Sequence, residues 1–478
     1  MKFHTCEKPC RIMAKSTVPS NQKSDLPSHI LYQNSSKTVT LIDIPRSIED
    51  AQLLSTEQYT TSPKTAKRLI SCKPIDTPYP SLEPKSAKAL RNAPGKSIEE
   101  LMLERYVQLA LDEMMGDERW EGKVCLERIW GENEESKRKR KSAPEEAEKS
   151  QQSVIKVENI YKLPKRVEID GISGIMPPKS TMIHGNILES NLSSNIEIHE
   201  DFPKFHVIIA DPPWPNRSAL RKDSYDIASG FGGIERLLRS LPCHQVEHNG
   251  YVGIWITNKP AFRSMLLDEG GLFDHWGLEL IEEWIWLKVT SNGEPMCEIS
   301  GTWRKPWEIL LVGRKKEERV CVDVGDSGFK KSVGNEELNI KKEYEIEGSY
   351  QSSSSPSRAS PTPTPTPSQS ENSNFSIKRR IIIGVPDLHS RKPNLRFLFG
   401  QLLGLQEYRG LEIFARNLTA GWWGWGNEVM KFQDDGAWVE EGCNDVVDEV
   451  VDVFDEVVDE VLKVKDEQDK DDEKSDEV

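Results

Sequence analysis

Long apolar runs are missing from the 478-residue sequence. No stretch of eighteen apolar residues occurs, which excludes a membrane-spanning helix. The first residues, MKFHTCEKPC, lack the apolar core of a secretory signal. Cysteine is sparse: 8 are scattered without a repeating framework, so a reducing compartment is expected and a disulfide scaffold is not. Apolar residues make up only 36% of the chain, too few for folding throughout, so part of it should be disordered. Positive charge is short as well, with 63 Lys+Arg against 78 Asp+Glu. That deficit is local. Residues 434–478 hold 20 acidic and 4 basic side chains, and the other 433 residues sum to +1. A near-neutral body with basic patches can still meet a polyanion.

Residues 1–94 are rich in Ser, Thr, Pro and Lys and read as mostly disordered, with an isolated strand near Thr38–Ile44. Residues 95–165 read as a helical segment and a basic linker. Ser97 and Glu100 suggest a capping box, and Ile98, Leu101, Leu103, Val107, Leu109, Ala110 and Met114 an apolar helix face. Trp120, Val124, Leu126, Ile129 and Trp130 suggest a second short helix. Lys137 to Lys141 form a run of five cations, read evenly as a solvated linker or as a nuclear-import or phosphate-binding patch. Residues 166–433 change character. Strands are expected at Phe205–Ala210, Tyr251–Ile256, Ile281–Leu287, Glu308–Val312, Arg380–Val385 and Leu411–Phe414. Helices are expected at Gly232–Leu238, Lys259–Leu267 and Asn394–Leu405. The alternation argues for an α/β fold with a mostly parallel sheet. A low-complexity insertion at about 320–376, containing SPTPTPTPSQS, interrupts it. An acidic tail with a valine stripe fills 434–478, read chiefly as a solvated appendage and otherwise as a nucleic-acid mimic.

One motif carries chemistry. The strand FHVIIA runs into Asp211-Pro212-Pro213-Trp214, with Asn216 shortly after. In open α/β sheets, ligands bind beyond the carboxyl ends of the strands. The prolines make a stiff turn whose carbonyls are acceptors. Asp211 and a proline carbonyl suit the two N–H groups of an exocyclic adenine amine, pulling its nitrogen toward pyramidal geometry. Trp214 is expected to stack on the flipped base.

Around this motif the chain resembles the DPPW-type N(6)-adenine methyltransferases, the family of the seventy-kilodalton subunit of the mRNA adenosine methyltransferase. Within it, the chain looks like the branch called methyltransferase-like protein 4. The resemblance lies in ADPPWPNRSALRKDSY, EEWIWLKVTSNGEP, RKPWEILLVGR, VPDLHSRKPNLRFLF and LEIFARNLTAGWWGWGNEVMKF, covering about 166–320 and 377–433. It implies a Rossmann-like, S-adenosylmethionine-dependent fold and methylation of adenine in RNA or DNA. By position it implies cofactor contacts from Asn186, Ile187, Asp211, Lys392, Arg416, Asn417, Asn427 and Glu428, with Lys392 on the methionine carboxylate. Glu428 stands where other branches carry Gln. No G-x-G-x-x-G follows a strand near these segments, so a dinucleotide is not the expected ligand.

Asn216, Arg217, Tyr225, Lys288 and Lys305 are the expected substrate contacts, and Arg221, Lys222, Lys259, Arg304 and Arg391 further candidate phosphate contacts. Trp286, Trp303 and Trp307 are expected in the core. Trp422, Trp423 and Trp425 are expected in a turn supporting Asn427. His4, Cys6 and Cys10 are too few for a metal site. The expected partner is adenine-containing RNA or DNA, with no membrane; the expected state is a monomer, in the nucleus with a cytosolic fraction. Two other functions are weighed: a non-catalytic nucleic-acid-binding subunit, against which the intact motif argues, and a scaffold built on the disordered arms.

Overall fold

Short β-branched runs become the strands of one large sheet in the computed structural model, which describes residues 26–54, 67–80, 95–130, 154–187, 202–215, 231–302, 304–316, 377–388 and 391–440. In chain order the elements are β1 (Ile30–Gln33), β2 (Val39–Ile42), α1 (Ile44–Ala51), β3 (Lys67–Ser71), α2 (Ile98–Gly116), β4 (Ile129–Trp130), β5 (Ile155–Glu158), β6 (Lys165–Ile169), β7 (Ile172–Met176), β8 (Thr181–His184) and β9 (Phe205–Ala210). They continue as α3 (Phe231–Arg239), β10 (Val246–Ile256), α4 (Pro260–Leu267), α5 (Leu272–His275), β11 (Leu278–Lys288), β12 (Trp307–Lys315), β13 (Lys378–Gly384), α6 (Arg396–Leu403), β14 (Gly410–Ile413), β15 (Trp423–Gly426) and β16 (Trp438–Glu440).

Eleven strands form the main sheet, ordered β1-β2-β13-β11-β12-β10-β9-β14-β15-β8-β5. From β10 through β9, β14 and β15 to β8 every neighbour is parallel. So are β11, β13 and β2. β12 runs antiparallel to both its neighbours, and β1 and β5 close the edges antiparallel. The mostly parallel α/β fold is therefore what the chain adopts. β9 explains its own central place. Phe205, Ile208 and Ala210 pack into one core cluster and Val207 and Ile209 into the other, so both faces are apolar and covered. The cluster containing Val207 and Ile209 is closed by Ile44 of α1 and by Leu398 and Phe399 of α6.

Helix ends follow local chemistry. The Asp43 side chain accepts the Arg46 N–H at 2.9 Å, with Pro45 in the first turn of α1. Ser97 caps α2 by accepting the Glu100 N–H at 3.2 Å. The buried face of α2 is Glu104, Val107, Ala110, Leu111 and Met114, narrower than the pattern suggested; Ile98 is 72% exposed.

Three expectations need correction. Part of 1–94 is folded, not disordered: β1, β2 and α1 extend the main sheet beside β13, and β3 joins β16 and β4 in a small one. Residues 117–130 form turns and β4 instead of a second helix, because Gly122 sits at φ 83°, outside helical geometry. The sheet also begins earlier than residue 166, since β5 pairs with β8. Residues 317–376, where the expected insertion falls, lie outside the described residues. The run 137–141, residues 4–10 and the valine stripe of the tail also lie outside them. Among the described residues no helix is long and apolar enough to cross a membrane, and no cluster could hold a metal ion.

Candidate active site

Four neighbouring parallel strands, β8, β15, β14 and β9, end at the same edge of the sheet. The expected residues follow those ends directly: Asn186 and Ile187 after β8, Asn427 and Glu428 after β15, Arg416 and Asn417 after β14, Asp211 after β9. Three inter-strand steps of about 4.8 Å span roughly 14 Å from Ile187 to Asp211. That is the length of a nucleoside joined to an amino acid. The β8 and β15 ends are also tied together. His184 Nε2 lies 3.1 Å from the Asn427 carbonyl, and Gly185 N–H donates to Gly426 at 3.4 Å.

The Asp211 carboxylate is gripped from two sides. Lys392 Nζ lies 3.1 and 3.2 Å from its two oxygens, and Arg416 Nη1 lies 3.1 Å from Oδ2. Each cation has a second acid: Glu308 for Lys392 at 2.9 Å and Glu428 for Arg416 at 3.1 Å. Lys288 and Lys431 close the two ends, on Glu308 and Glu428. An alternating row of charges thus runs along the strand ends. Burial pushes the Lys392 ammonium down, but Asp211 and Glu308 outweigh it and hold the lysine above its ordinary range. Burial likewise opposes ionisation of Glu308, and Lys392 and Lys288 overcome it, leaving its carboxyl well below the usual range.

The turn after β9 is rigid. The Pro212 carbonyl accepts the Trp214 N–H at 2.8 Å, and the Pro215 carbonyl accepts from Lys259 Nζ at 3.1 Å. Among the described residues only the Pro213 carbonyl of these three has no donor. Trp214 is not placed to stack on a base. It is 7% exposed, its ring lies 4.5 Å from that of Phe262, and its indole N–H donates to the Trp255 carbonyl at 2.8 Å. Its large apolar surface and single donor are both satisfied inside the protein, which is why the expectation fails.

Two expected substrate cations are corrected as well. Lys305 Nζ sits between Glu100 at 2.7 Å and Glu104 at 2.5 Å, with 9% of its side chain accessible; it anchors α2. Lys288 neutralises Glu308 and lies over the Trp286 ring at 4.7 Å. Arg391 is buried against Asp387 and donates to the Ile70 carbonyl at 2.9 Å. Asn216, Arg217 and Tyr225 lie outside the described residues. Trp286 and Trp307 are core, as expected. Trp422 and Trp425 are fully buried, and Trp425 belongs to a sheet strand rather than a turn. Gly410 is glycine because a Cβ there would lie 2.3 Å from the Trp422 indole.

The motif reading missed Glu308, Glu412 and Trp255. Glu412 and Trp255 line one pocket with Asp211, Lys392, Arg416 and Asn417, closed below by Ile48 and Ile209. Glu412 did leave a signal, being a charged residue inside the buried strand LEIF. Its carboxyl is pushed up to about 7 by burial and then by Asp211, with Arg416 opposing.

Comparison with known proteins follows the same segments. The MT-A70 family profile matches residues 205–345 and 362–428. The chain is 33% identical over 415 residues to the N6-methyladenosine RNA methyltransferase MTA1 of Cryphonectria parasitica, covering 86% of this chain and 94% of that one. It is 28% identical over 280 residues to the human N(6)-adenine-specific methyltransferase METTL4, covering 58% and 47%. Similarity to a DNA N6-methyl methyltransferase of Caenorhabditis elegans is 31% over 150 residues, covering 31% and 38%.

Proposed function

The chain belongs to the MT-A70 family, and on that premise we propose that it methylates the exocyclic N6 amine of adenine in nucleic acid, with S-adenosylmethionine as donor. It is an N6-adenine methyltransferase. RNA is the favoured substrate, because the relative matched over 94% of its length is an RNA methyltransferase. The observation that carries the reading is the position of Asp211. This acid stands at the end of a central parallel strand, fixed by Lys392 and Arg416, at the mouth of a pocket.

The donor set suits this cofactor. Lys392 would be the cation for its amino-acid carboxylate, Arg416 and Asn417 would hold the ribose, and Asn186, Ile187 and Asn427 the adenine, with Glu428 beside them. Asn417 supports the fit directly, since its Nδ2 is buried without a partner among the described residues. The cofactor supplies a methyl group made electrophilic by a positive sulfur. Everything else falls to the chain.

Asp211 accepts one N–H of the adenine amine and the Pro213 carbonyl the other. Together they turn the nitrogen lone pair out of the ring plane. Lys392 and Arg416 keep the Asp211 carboxylate from rotating. Pro212, held by the Trp214 N–H, keeps the turn stiff, so the amine is presented at one angle. Such positioning can lower a barrier by about 7–11 kcal/mol.

The test is incubation with methyl-labelled cofactor and matched RNA and DNA oligonucleotides, followed by nucleoside mass spectrometry. Labelled N6-methyladenosine from the RNA is expected, and little from the DNA. No label in either would overturn the reading.

A further inference from the structure

Three of the four acids around this site are paired: Asp211 with Lys392 and Arg416, Glu308 with Lys288 and Lys392, Glu428 with Arg416 and Lys431. The fourth, Glu412, has neither an ion pair nor a hydrogen bond among the described residues. Its place in the sheet is fixed. Glu412 of β14 pairs in register with Ile209 of β9, and Asp211 follows two residues later on the same face of the sheet. The carboxyl therefore lies one pleat deeper than Asp211, between the apolar walls Ile48, Trp255 and Trp422. Three other residues lining this pocket carry buried nitrogens without partners among the described residues, Arg391 Nε, Asn417 Nδ2 and Trp422 Nε1.

An acid in such surroundings is costly unless a cation comes to it. The charged groups facing it are few. Asp211 of β9 repels its ionised form and Arg416 favours it. Lys392 and Arg391, on the approach to α6, line the same pocket but are held by other acids. α1 and β10 contribute Ile48 and Trp255, which carry no charge.

We propose that Glu412 receives the primary ammonium of the cofactor's amino-acid end. The assignment rests on the S-adenosylmethionine reading above. That ammonium and its carboxylate share one carbon, so the acceptor for the first and the donor for the second must line one pocket, as Glu412 and Lys392 do. Asp211 already holds two cations and is the acceptor for the adenine amine, whereas Glu412 has no cation paired with it among the described residues. Binding then ionises Glu412: the carboxylic acid meets an ammonium, becomes a carboxylate, and its proton goes to solvent. No covalent bond changes.

The experiment is titration calorimetry on the full chain at pH 7 in phosphate and in Tris, whose ionisation heats differ. The probes are S-adenosylhomocysteine and 5′-methylthioadenosine, which keeps the nucleoside and thioether but lacks the amino acid. A group half protonated at about pH 7 should release about half a proton with the first probe and none with the second. Glu412→Gln should abolish the release and weaken S-adenosylhomocysteine about tenfold or more, with methylthioadenosine unchanged. Equal heats in the two buffers for the wild type would overturn the proposal, and need no variant. So would equal weakening of both probes by Glu412→Gln, the mark of a packing role. If neither probe binds the wild type, the methyltransferase reading itself has failed.

Discussion

At the scale of single residues, the site depends on where charge is balanced. Asp211→Asn keeps the size of the side chain but removes the charge that Lys392 and Arg416 hold. Methylation should fall about a hundred- to a thousandfold, the scale of losing a positioned electrostatic group at a reacting centre, with the thermal transition within a few degrees of wild type. Single-turnover assays and calorimetry would check this, and near-normal turnover would refute the role. Glu412 gives a different signature. It should lose its proton at its ordinary value of 4.5 when unfolded and at about 7 when folded. The folded chain thus binds more protons between those values, so stability falls as pH rises across them, by up to about 3 kcal/mol. Glu412→Gln removes this dependence, so its melting temperature should gain on wild type from pH 5 to pH 8. A constant difference at both pH values would show that Glu412 does not titrate there. Asp211 was legible because Asp-Pro-Pro-Trp after a β-run is a rare local pattern. Glu308 and Glu412 were not, since their roles come from what distant strands place beside them. Trp214 was legible as part of the motif but not as core; only Phe262 and the Trp255 carbonyl reveal that. Trp214→Ala should therefore destabilise the protein by about 3–5 kcal/mol in urea unfolding. A loss under about 1 kcal/mol would place the ring at the surface.

At the scale of elements, strand centres were legible and their partners were not. FHVIIA and RRIIIG are β-branched and buried on both faces, so composition alone identifies them. β1 and β2 are different. Each is 4 residues long and becomes a strand by pairing, β2 with β13 and β1 with β2. No window around them could reveal a partner more than 330 residues away. The helix α2 was legible from its cap, but the purpose of its acids was not. Glu100 and Glu104 serve Lys305, which joins the helix to the loop before β12. Lys305→Ala should destabilise the chain by about 1–3 kcal/mol, moderated because Lys96 still pairs with Glu104. The salt dependence of RNA binding should stay the same. A phosphate contact would instead lower the slope of log affinity against log salt by nearly one.

At the scale of the whole molecule, charge and function pull in opposite directions. The chain carries −15 overall, yet residues 441–478 alone hold 17 acidic and 4 basic side chains, so the chain without them carries −2. A polyanionic substrate approaching the strand-end pocket meets the sum of these charges until salt screens it. Ending the chain at residue 440 removes no described element, since β16 closes at Glu440. The shortened protein should bind an RNA oligonucleotide several-fold more tightly at about 50 mM salt, and the difference should vanish near 0.5 M, where the screening length is only a few ångströms. Fluorescence anisotropy at both salt concentrations would measure it. Truncation at the other end should behave quite differently. Removing residues 1–94 takes away β1, β2, α1 and β3, and with them Ile48 of the pocket and the covered edge of β13. Tighter binding at low salt alone would show that the tail acts through long-range repulsion. Tighter binding that persists at high salt would show instead that the tail competes for the nucleic-acid surface by contact, because only short-range interactions survive that screening.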